Sequence, residues 1–182
     1  MGKAIGMVEL ATVACGIGAA DTLVKTAEVE VLEAQTVCPG KYIVLVSGEL
    51  SAVRSAVDAA KAKFSSKVID SFVLGNPHDS IFKAIYGATE VPEVDALGVF
   101  ETFTAASAIE AADTAAKTAQ VDLIEIRLAR GMCGKSYLLL TGEVSAVEAS
   151  IEAARSRISE DGMFLDSYVI ASPDKKIWDA IL

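Results

Sequence analysis

The chain has 182 residues and a formal net charge of −9, and 52% of its residues are hydrophobic while 23% are charged. This length and apolar content suit one or two compact domains, and the acidic balance argues against nucleic acid as a partner, because phosphate binding needs a basic surface. The longest clean apolar run, residues 42–46, is far shorter than the roughly 20 residues of a membrane helix, and the N-terminus lacks a secretory pattern, so we expect a cytosolic protein without a membrane partner.

The predicted elements follow the order strand, helix, strand, strand, helix, strand and short helix, and the series then repeats. The first half has predicted strands at 4–10, 29–36, 42–46 and 68–74 and helices at 12–26, 51–64 and 79–86. The second half has predicted strands at 96–102, 121–129, 136–141 and 164–170 and helices at 104–119, 145–158 and 174–181. Ser51 is the predicted N-cap of its helix. This order predicts a ferredoxin-like α+β fold, an antiparallel sheet with two helices on one face, and leaves the strand order open.

An internal repeat underlies this organisation. The strings AIGMVE, AADTLVKTA and SGELSAV return as ALGVFE, AADTAAKTA and TGEVSAV. The offset between the copies grows from 92 (Ala4 to Ala96) to 96 (Asp70 to Asp166), which is typical of insertions in loops. We predict two domains, residues 1–92 and 93–182, joined in an acidic stretch around Pro92. A duplicated chain closes a ring with half the subunits that a single-copy chain needs.

Cys38 opens the turn Cys38-Pro39-Gly40-Lys41, where Pro and Gly suit the two central positions of a type II turn. One interpretation is that a small residue simply fills the turn. The other depends on symmetry. If the turn faces a threefold axis, three chains bring three thiols together, and three thiolates with one external ligand are able to hold a four-iron cluster.

The remaining thiols and the single histidine are weaker candidates. Cys133 lies in the matching turn, offset by one residue, and its flanking glycines leave the direction of its side chain open, so its ligand role is a secondary hypothesis. Cys15 lies among small apolar residues of the first helix and is expected to be a buried packing thiol. His78 has no neighbouring ligand spacing and is expected to be a surface or capping residue.

Two lysines repeat with their acidic partners. Asp21 and Lys25 stand four residues apart on the first helix, as Asp113 and Lys117 do on its counterpart. Such spacing is typical of a helix-surface ion pair. The alternative is that each lysine lies at a subunit edge, and the repetition of the whole string favours this interpretation.

Taken together, these strings resemble the bacterial microcompartment shell-protein family, over essentially the whole chain and twice. The resemblance rests on the AIG-x-VE strand, the AAD-x-x-x-K-x-A helix, the PGK or CGK turn and the GE-[LV]-SAV helix entry. The tandem copies are similar to the class whose chains trimerise into pseudohexameric tiles. The turn at residues 36–41 resembles the pore turn of the iron–sulfur-carrying shell proteins of propanediol-utilisation compartments.

The resemblance implies a structural protein rather than an enzyme, a homotrimer that joins other shell proteins, and Cys38 as the ligand of a four-iron, four-sulfur (4Fe–4S) cluster. It implies electron transfer across the shell, with an enclosed redox enzyme as a further partner, and subunit-edge roles for Lys25 and Lys117. The implied pore loop comprises Val37, Cys38, Pro39, Gly40, Met132, Cys133 and Gly134. Two alternatives stay open: the same tile with an open pore for small metabolites and no cluster, and a soluble thiol-dependent enzyme or small-molecule binding protein.

Overall fold

A computed structural model of the chain describes residues 4–90 and 95–181. The first repeat forms β1 (Ala4–Leu10), α1 (Val13–Thr26), β2 (Glu30–Val37), β3 (Lys41–Gly48), α2 (Leu50–Lys63), β4 (Val68–Leu74) and α3 (Ser80–Ile85). The second repeat forms β5 (Ala96–Thr102), α4 (Ala105–Thr118), β6 (Asp122–Arg127), β7 (Ser136–Gly142), α5 (Val144–Ser159), β8 (Phe164–Ile170) and α6 (Lys175–Ile181). Within the described ranges, no helix is long and apolar enough to cross a bilayer. The predicted order of elements is confirmed, and the predicted boundary between residues 92 and 93 lies outside the described residues.

Each repeat forms its own four-stranded antiparallel sheet, with strand orders β2-β3-β1-β4 and β6-β7-β5-β8. On the central strand of the first sheet, Glu9 lies opposite Asp70 of β4, and the register shifts directly after Glu9. The second sheet repeats this detail, with Glu101 opposite Asp166 and a register shift after Glu101. The predicted α+β class is therefore confirmed, and both sheets carry the same irregularity at the same place.

The chain divides into two compact units. The first unit contains the first repeat as far as Pro77, together with Thr104–Ser107 and Ala129–Lys135. Its core lies between the sheet and the two helices α1 and α2, where apolar side chains of β1 and β3 meet those of the helices. A Cβ atom on Gly6 would lie 2.7 Å from Val53 Cγ1 and 2.8 Å from Val57 Cγ2, so glycine at this position allows α2 to pack closely on β1.

The second unit contains the second sheet and its own helices. A Cβ atom on Gly98 would lie 2.9 Å from Val147 Cγ1, so glycine at this position also allows α5 to pack closely on β5. On the other face of this sheet, Trp178 of α6 packs against a buried cluster that contains Leu97, Ile124 and Leu139. The short helix α3 contacts β6 in this unit, although it follows the last strand of the first repeat.

The predicted N-cap at Ser51 is wrong. Strand β3 extends to Gly48, so Glu49 is the only residue between strand and helix, and it occupies the N-cap position with no side-chain cap bond to the described residues. Ser51 is consequently the second residue of the helix. The second repeat makes the same short connection through Glu143, so the GE string lies between strand and helix in both copies.

Candidate functional site

The Cys38 turn joins β2 to β3 at one end of the first sheet. The Gly40 N–H donates to the Val37 carbonyl oxygen over 2.9 Å, and the Cys38–Pro39 peptide bond is cis. Pro39 is thus the third residue of the turn, which is the type VI arrangement. The predicted type II turn is wrong, because that turn would place Pro39 second and begin at Cys38.

A second turn contacts the first. The Cys38 N–H donates to the carbonyl oxygen of Ala129 over 3.1 Å, within the first compact unit. A Cβ atom on Gly134 would lie 3.2 Å from the Cys38 carbonyl oxygen and 3.0 Å from Lys41 Cε, so glycine is required at this approach. The turn that bears Cys133 therefore lies beside the turn that bears Cys38.

The two thiols differ in exposure and in backbone conformation. Cys38 is half-buried, whereas Cys133 is exposed and has a φ of +51°, in the left-handed region. Its neighbours Gly131 and Gly134 also have positive φ, at +73° and +90°. The described residues hold no group of three or more His, Cys, Asp or Glu side chains that is able to bind a metal ion, so one chain does not complete a metal site within its described part.

An open depression of about 470 Å³ lies at these turns, lined by Thr36, Val37, Cys38, Pro39, Gly40, Arg130 and Gly131. Arg130 brings a positive charge to its edge and lies 3.4 Å from the carboxylate of the half-buried Glu33. Burial raises the pKa of the Glu33 carboxyl above its ordinary value, while Arg130 and the Gln35 amide act in the opposite direction. The depression thus combines one thiol, backbone groups and one cation.

Lys41 ties the base of the Cys38 turn to two partners. Its ammonium group donates to the Glu9 carboxylate over 2.8 Å and to the Gly134 carbonyl oxygen over 3.3 Å. Glu9 is fully buried and also accepts the Ala105 N–H over 2.9 Å. Burial raises the pKa of the Glu9 carboxyl, against the lowering effects of Lys41 and the helix amides. The lysine therefore joins β1, β3 and the second turn around the candidate site.

A second carboxylate supports the first turn of α4. Asp70 Oδ2 accepts the Thr104 hydroxyl over 2.5 Å and the Ser107 hydroxyl over 2.8 Å. Sequence analysis identified neither the partners of Glu9 nor Asp70 as a contact residue. The available signal was the recurrence of Asp70 and Lys41 as Asp166 and Lys135 in the second copy.

The predicted edge lysines lie on helix surfaces. Lys25 contacts Asp21 over 2.8 Å, and Lys117 contacts Asp113 over 2.7 Å, so both form the ion pair that their spacing predicts. Asp113 additionally accepts the His78 N–H over 2.9 Å, and the imidazole Nδ1 of His78 lies 2.7 Å from Ser80 Oγ. The expectation that Cys15 is a buried packing thiol is wrong in its burial, because this residue is only half-buried on α1.

The BMC domain model matches the chain twice, over residues 4–77 and 96–173. The chain belongs to the bacterial microcompartment shell proteins. This shell protein is 35% identical over 178 residues to the bacterial microcompartment shell protein PduT of Citrobacter freundii, a match that spans 98% of this chain and 97% of PduT. It is 34% identical over 85 residues to shell protein PduA of Citrobacter freundii, which spans 46% of this chain and 91% of PduA.

A solved structure is similar to this chain in fold as well as in sequence. The crystal structure of a microcompartment protein from Desulfitobacterium hafniense DCB has a TM-score of 0.87 and 49% sequence identity, and the match covers 98% of this chain and 99% of that one. As a member of this family, the shell protein is structural rather than enzymatic, and proteins of the family oligomerise with other shell proteins. The resemblance inferred from the repeated strings is confirmed.

Proposed function

We propose that three copies of this shell protein form a pseudohexameric tile, and that Cys38 of each copy helps to hold a (4Fe–4S) cluster at its centre for electron transfer across the shell. The observation that carries the proposal is the contact between the two turns, in which Cys38 donates its N–H to Ala129. Because both turns of one chain meet at a single depression, three chains would line a central opening with the two turns in alternation.

The donor chemistry of the depression fits such a cluster. Iron–sulfur clusters are held by cysteine thiolates, and the Cys38 thiol is half-buried at the apex of its hairpin. One thiolate per chain is too few for a cluster, but three related thiolates and one external ligand are sufficient. Cys133, which is exposed in the adjoining turn, is the second candidate ligand.

The residues around Cys38 would fix the orientation of its thiol. The amide bond to Ala129 and the Lys41 bridge to Glu9 and Gly134 hold the turn from two sides. Arg130, whose charge is shared with the Glu33 carboxylate, would place part of a positive charge near the converging thiolates. The cluster itself, when bound, would supply one-electron chemistry at a potential set by burial and hydrogen bonding.

The tile would place Lys25 and Lys117 at its edges, where other shell proteins dock. Their exposed ammonium groups, paired to an aspartate one helical turn earlier, support this assignment. The repeats, divided as residues 1–92 and 93–182, would occupy alternate positions of the tile. An enclosed redox enzyme would be the electron-transfer partner.

Anaerobic purification with iron and sulfide reconstitution tests the proposal. We expect a brown trimer with about four irons per three chains and an EPR signal on reduction. The Cys38→Ser variant should lose the iron and keep the trimer, and the matched control Cys15→Ser, which removes a thiol outside both turns, should keep both. Loss of iron from Cys133→Ser as well would make Cys133 a second ligand. An iron-free wild-type trimer would overturn the cluster and leave a tile with an open pore, and a monomer would overturn the tile itself.

A further inference from the structure

The first turn of α4 is held by two carboxylates of the first unit. Glu9 accepts the Ala105 N–H, and Asp70 accepts the side-chain hydroxyls of Thr104 and Ser107. The first N–H groups of a helix have no acceptor within the helix, so Glu9 satisfies a backbone donor that would otherwise be unpaired, while Asp70 holds the side chains of the same turn. We call this set of contacts the carboxylate joint.

The internal repeat supplies the residues for a second carboxylate joint: the two carboxylates lie in the second copy and the helix turn lies in the first. Glu101 and Asp166 lie opposite each other on β5 and β8, as Glu9 and Asp70 do on β1 and β4, and both pairs precede the same register shift. The counterpart of the helix turn is the start of α1, where Thr12 stands for Thr104 and Cys15 stands for Ser107 at the common offset of 92.

In the described part of one chain, this second set of groups is not engaged. The Glu101 side chain makes no hydrogen bond or ion pair to the described residues, and the Asp166 carboxylate accepts only the N–H of its neighbour Ser167. Thr12, the N-cap of α1, makes no side-chain cap bond there. The donors and the acceptors of the second joint are thus both available.

Large apolar residues near the second set are exposed to solvent, whereas their counterparts near the first set are buried. Ile109 of α4 is 0% exposed, whereas its counterpart Ile17 of α1 is 57% exposed. Phe72, two residues beyond Asp70, is 4% exposed, whereas its counterpart Tyr168 is 70% exposed. Large apolar side chains that are buried in one copy of a repeat and exposed in the other mark a surface that needs a partner.

We infer that the first turn of α1 in one copy of this chain binds Glu101 and Asp166 of a neighbouring copy, and so reproduces the carboxylate joint between subunits. The inference rests on the proposed trimer and specifies the contact through which three copies would close into a ring. The Glu101 carboxylate accepts the amides at the start of α1, and Asp166 accepts the Thr12 hydroxyl. The two surfaces are unlike, so the contact is head-to-tail and every copy uses each surface once.

Cys15 provides a direct test of this contact. In the first joint, Ser107 Oγ lies 2.8 Å from Asp70 Oδ2, so the two equivalent side chains, Cys15 and residue 166 of the neighbour, should come within disulfide reach. In a Cys38→Ser, Cys133→Ser background, Asp166→Cys should form an intersubunit disulfide with Cys15 under mild oxidation. Non-reducing electrophoresis should then show covalent dimers and trimers. The same variant with Cys15→Ser is the matched control and should show monomers only.

The sedimentation behaviour of a charge-removing variant gives a second readout. Glu101→Ala combined with Asp166→Ala should abolish the three-chain species, with circular dichroism unchanged. The control Glu148→Ala with Asp58→Ala removes two exposed carboxylates elsewhere and should remain trimeric. The inference is overturned if Glu101→Ala with Asp166→Ala still forms a trimer at wild-type affinity and if Asp166→Cys forms no disulfide with Cys15. Both experiments use iron-free protein, so their results do not depend on whether the cluster exists. A monomeric wild-type protein would overturn the proposed tile and this inference together.

Discussion

The Lys41 ammonium lies 2.8 Å from the Glu9 carboxylate, and the Glu9 side chain has no exposure to solvent. A carboxylate in this position needs partners, because burying an unpaired charge is costly. Lys41 and the amide of Ala105 supply them, and Lys41 also reaches Gly134 in the turn that contacts Cys38. The same pair therefore stabilises the sheet and fixes the base of the candidate site.

Replacing Glu9 with Ala should lower the free energy of unfolding by about 3 kcal/mol, because Lys41 and the start of α4 then lose their buried acceptor. Urea denaturation at one protein concentration measures the change. Glu148→Ala, which removes an exposed carboxylate of α5, is the matched control and should stay within about 0.5 kcal/mol of wild type. Equal midpoints for the two variants would contradict the stabilising role of the pair.

The stability of the chain should depend on the protonation of Glu33. Burial raises the pKa of this carboxyl above 4.5 in the folded state, so the folded protein binds the proton more tightly than the unfolded one. The associated stability is complete below the unfolded pKa and is lost as the pH rises through the folded pKa. The free energy of unfolding of wild type, measured relative to Glu33→Gln, should therefore be higher near pH 4.5 than near about pH 7.

Arg130→Ala serves as the control for this titration. Arg130 lowers the pKa of Glu33, so its removal should raise that pKa further and shift the loss of stability to higher pH. A difference between wild type and Glu33→Gln that increases with pH would contradict the assignment.

Gly6 and Gly98 should not tolerate alanine. The added Cβ would lie 2.7 Å from Val53 Cγ1 of α2 at the first site and 2.9 Å from Val147 Cγ1 of α5 at the second, so the helix over each sheet would have to move. We expect each variant to lose about 2 kcal/mol in urea denaturation. Gly75→Ala is the control, since its Cβ would meet Leu50 at an ordinary 3.4 Å, and it should be neutral or slightly stabilising.

Two glycines of the second turn allow the cost of a left-handed backbone to be measured apart from the cost of a steric clash. Gly131 and Gly134 both have positive φ, but a Cβ atom would meet nothing within 4 Å at Gly131, and Lys41 Cε at 3.0 Å at Gly134. Gly131→Ala should cost about 1 kcal/mol for its left-handed backbone alone. Gly134→Ala should cost at least about 1 kcal/mol more.

The same two variants should differ at the candidate site. Because Gly134 also approaches the Cys38 carbonyl oxygen, Gly134→Ala should alter the alkylation rate of Cys38, measured in a Cys15→Ser, Cys133→Ser background. Gly131→Ala, whose Cβ would meet nothing within 4 Å, should change that rate less. Equal rates and equal stabilities in the two variants would show that the turns do not constrain each other.

Periodicity was sufficient to predict most of the secondary structure. The strands β1, β4, β5 and β8 were predicted to the residue, because a strand's alternation and its bounding turn residues are local properties of the chain. Local signals also failed in two places. Ser51 has the chemistry of an N-cap, but the short connection from β3 places the cap at Glu49. Pro39 has the chemistry of a type II turn, but the hairpin hydrogen bond places it third.

The amino-acid sequence by itself determined the duplicated α+β organisation, the family and the presence of one candidate thiol in each of the two matching turns, because repeats and periodic patterns can be read along the chain. Only the tertiary structure decided that the Cys38 and Cys133 turns touch, that Lys41 bridges Glu9 and Gly134, and that Glu9 and Asp70 contact the first turn of α4, whereas the side chains of Glu101 and Asp166 contact no helix start among the described residues. These contacts join residues more than 30 positions apart, and their geometry depends on how the strands and helices pack.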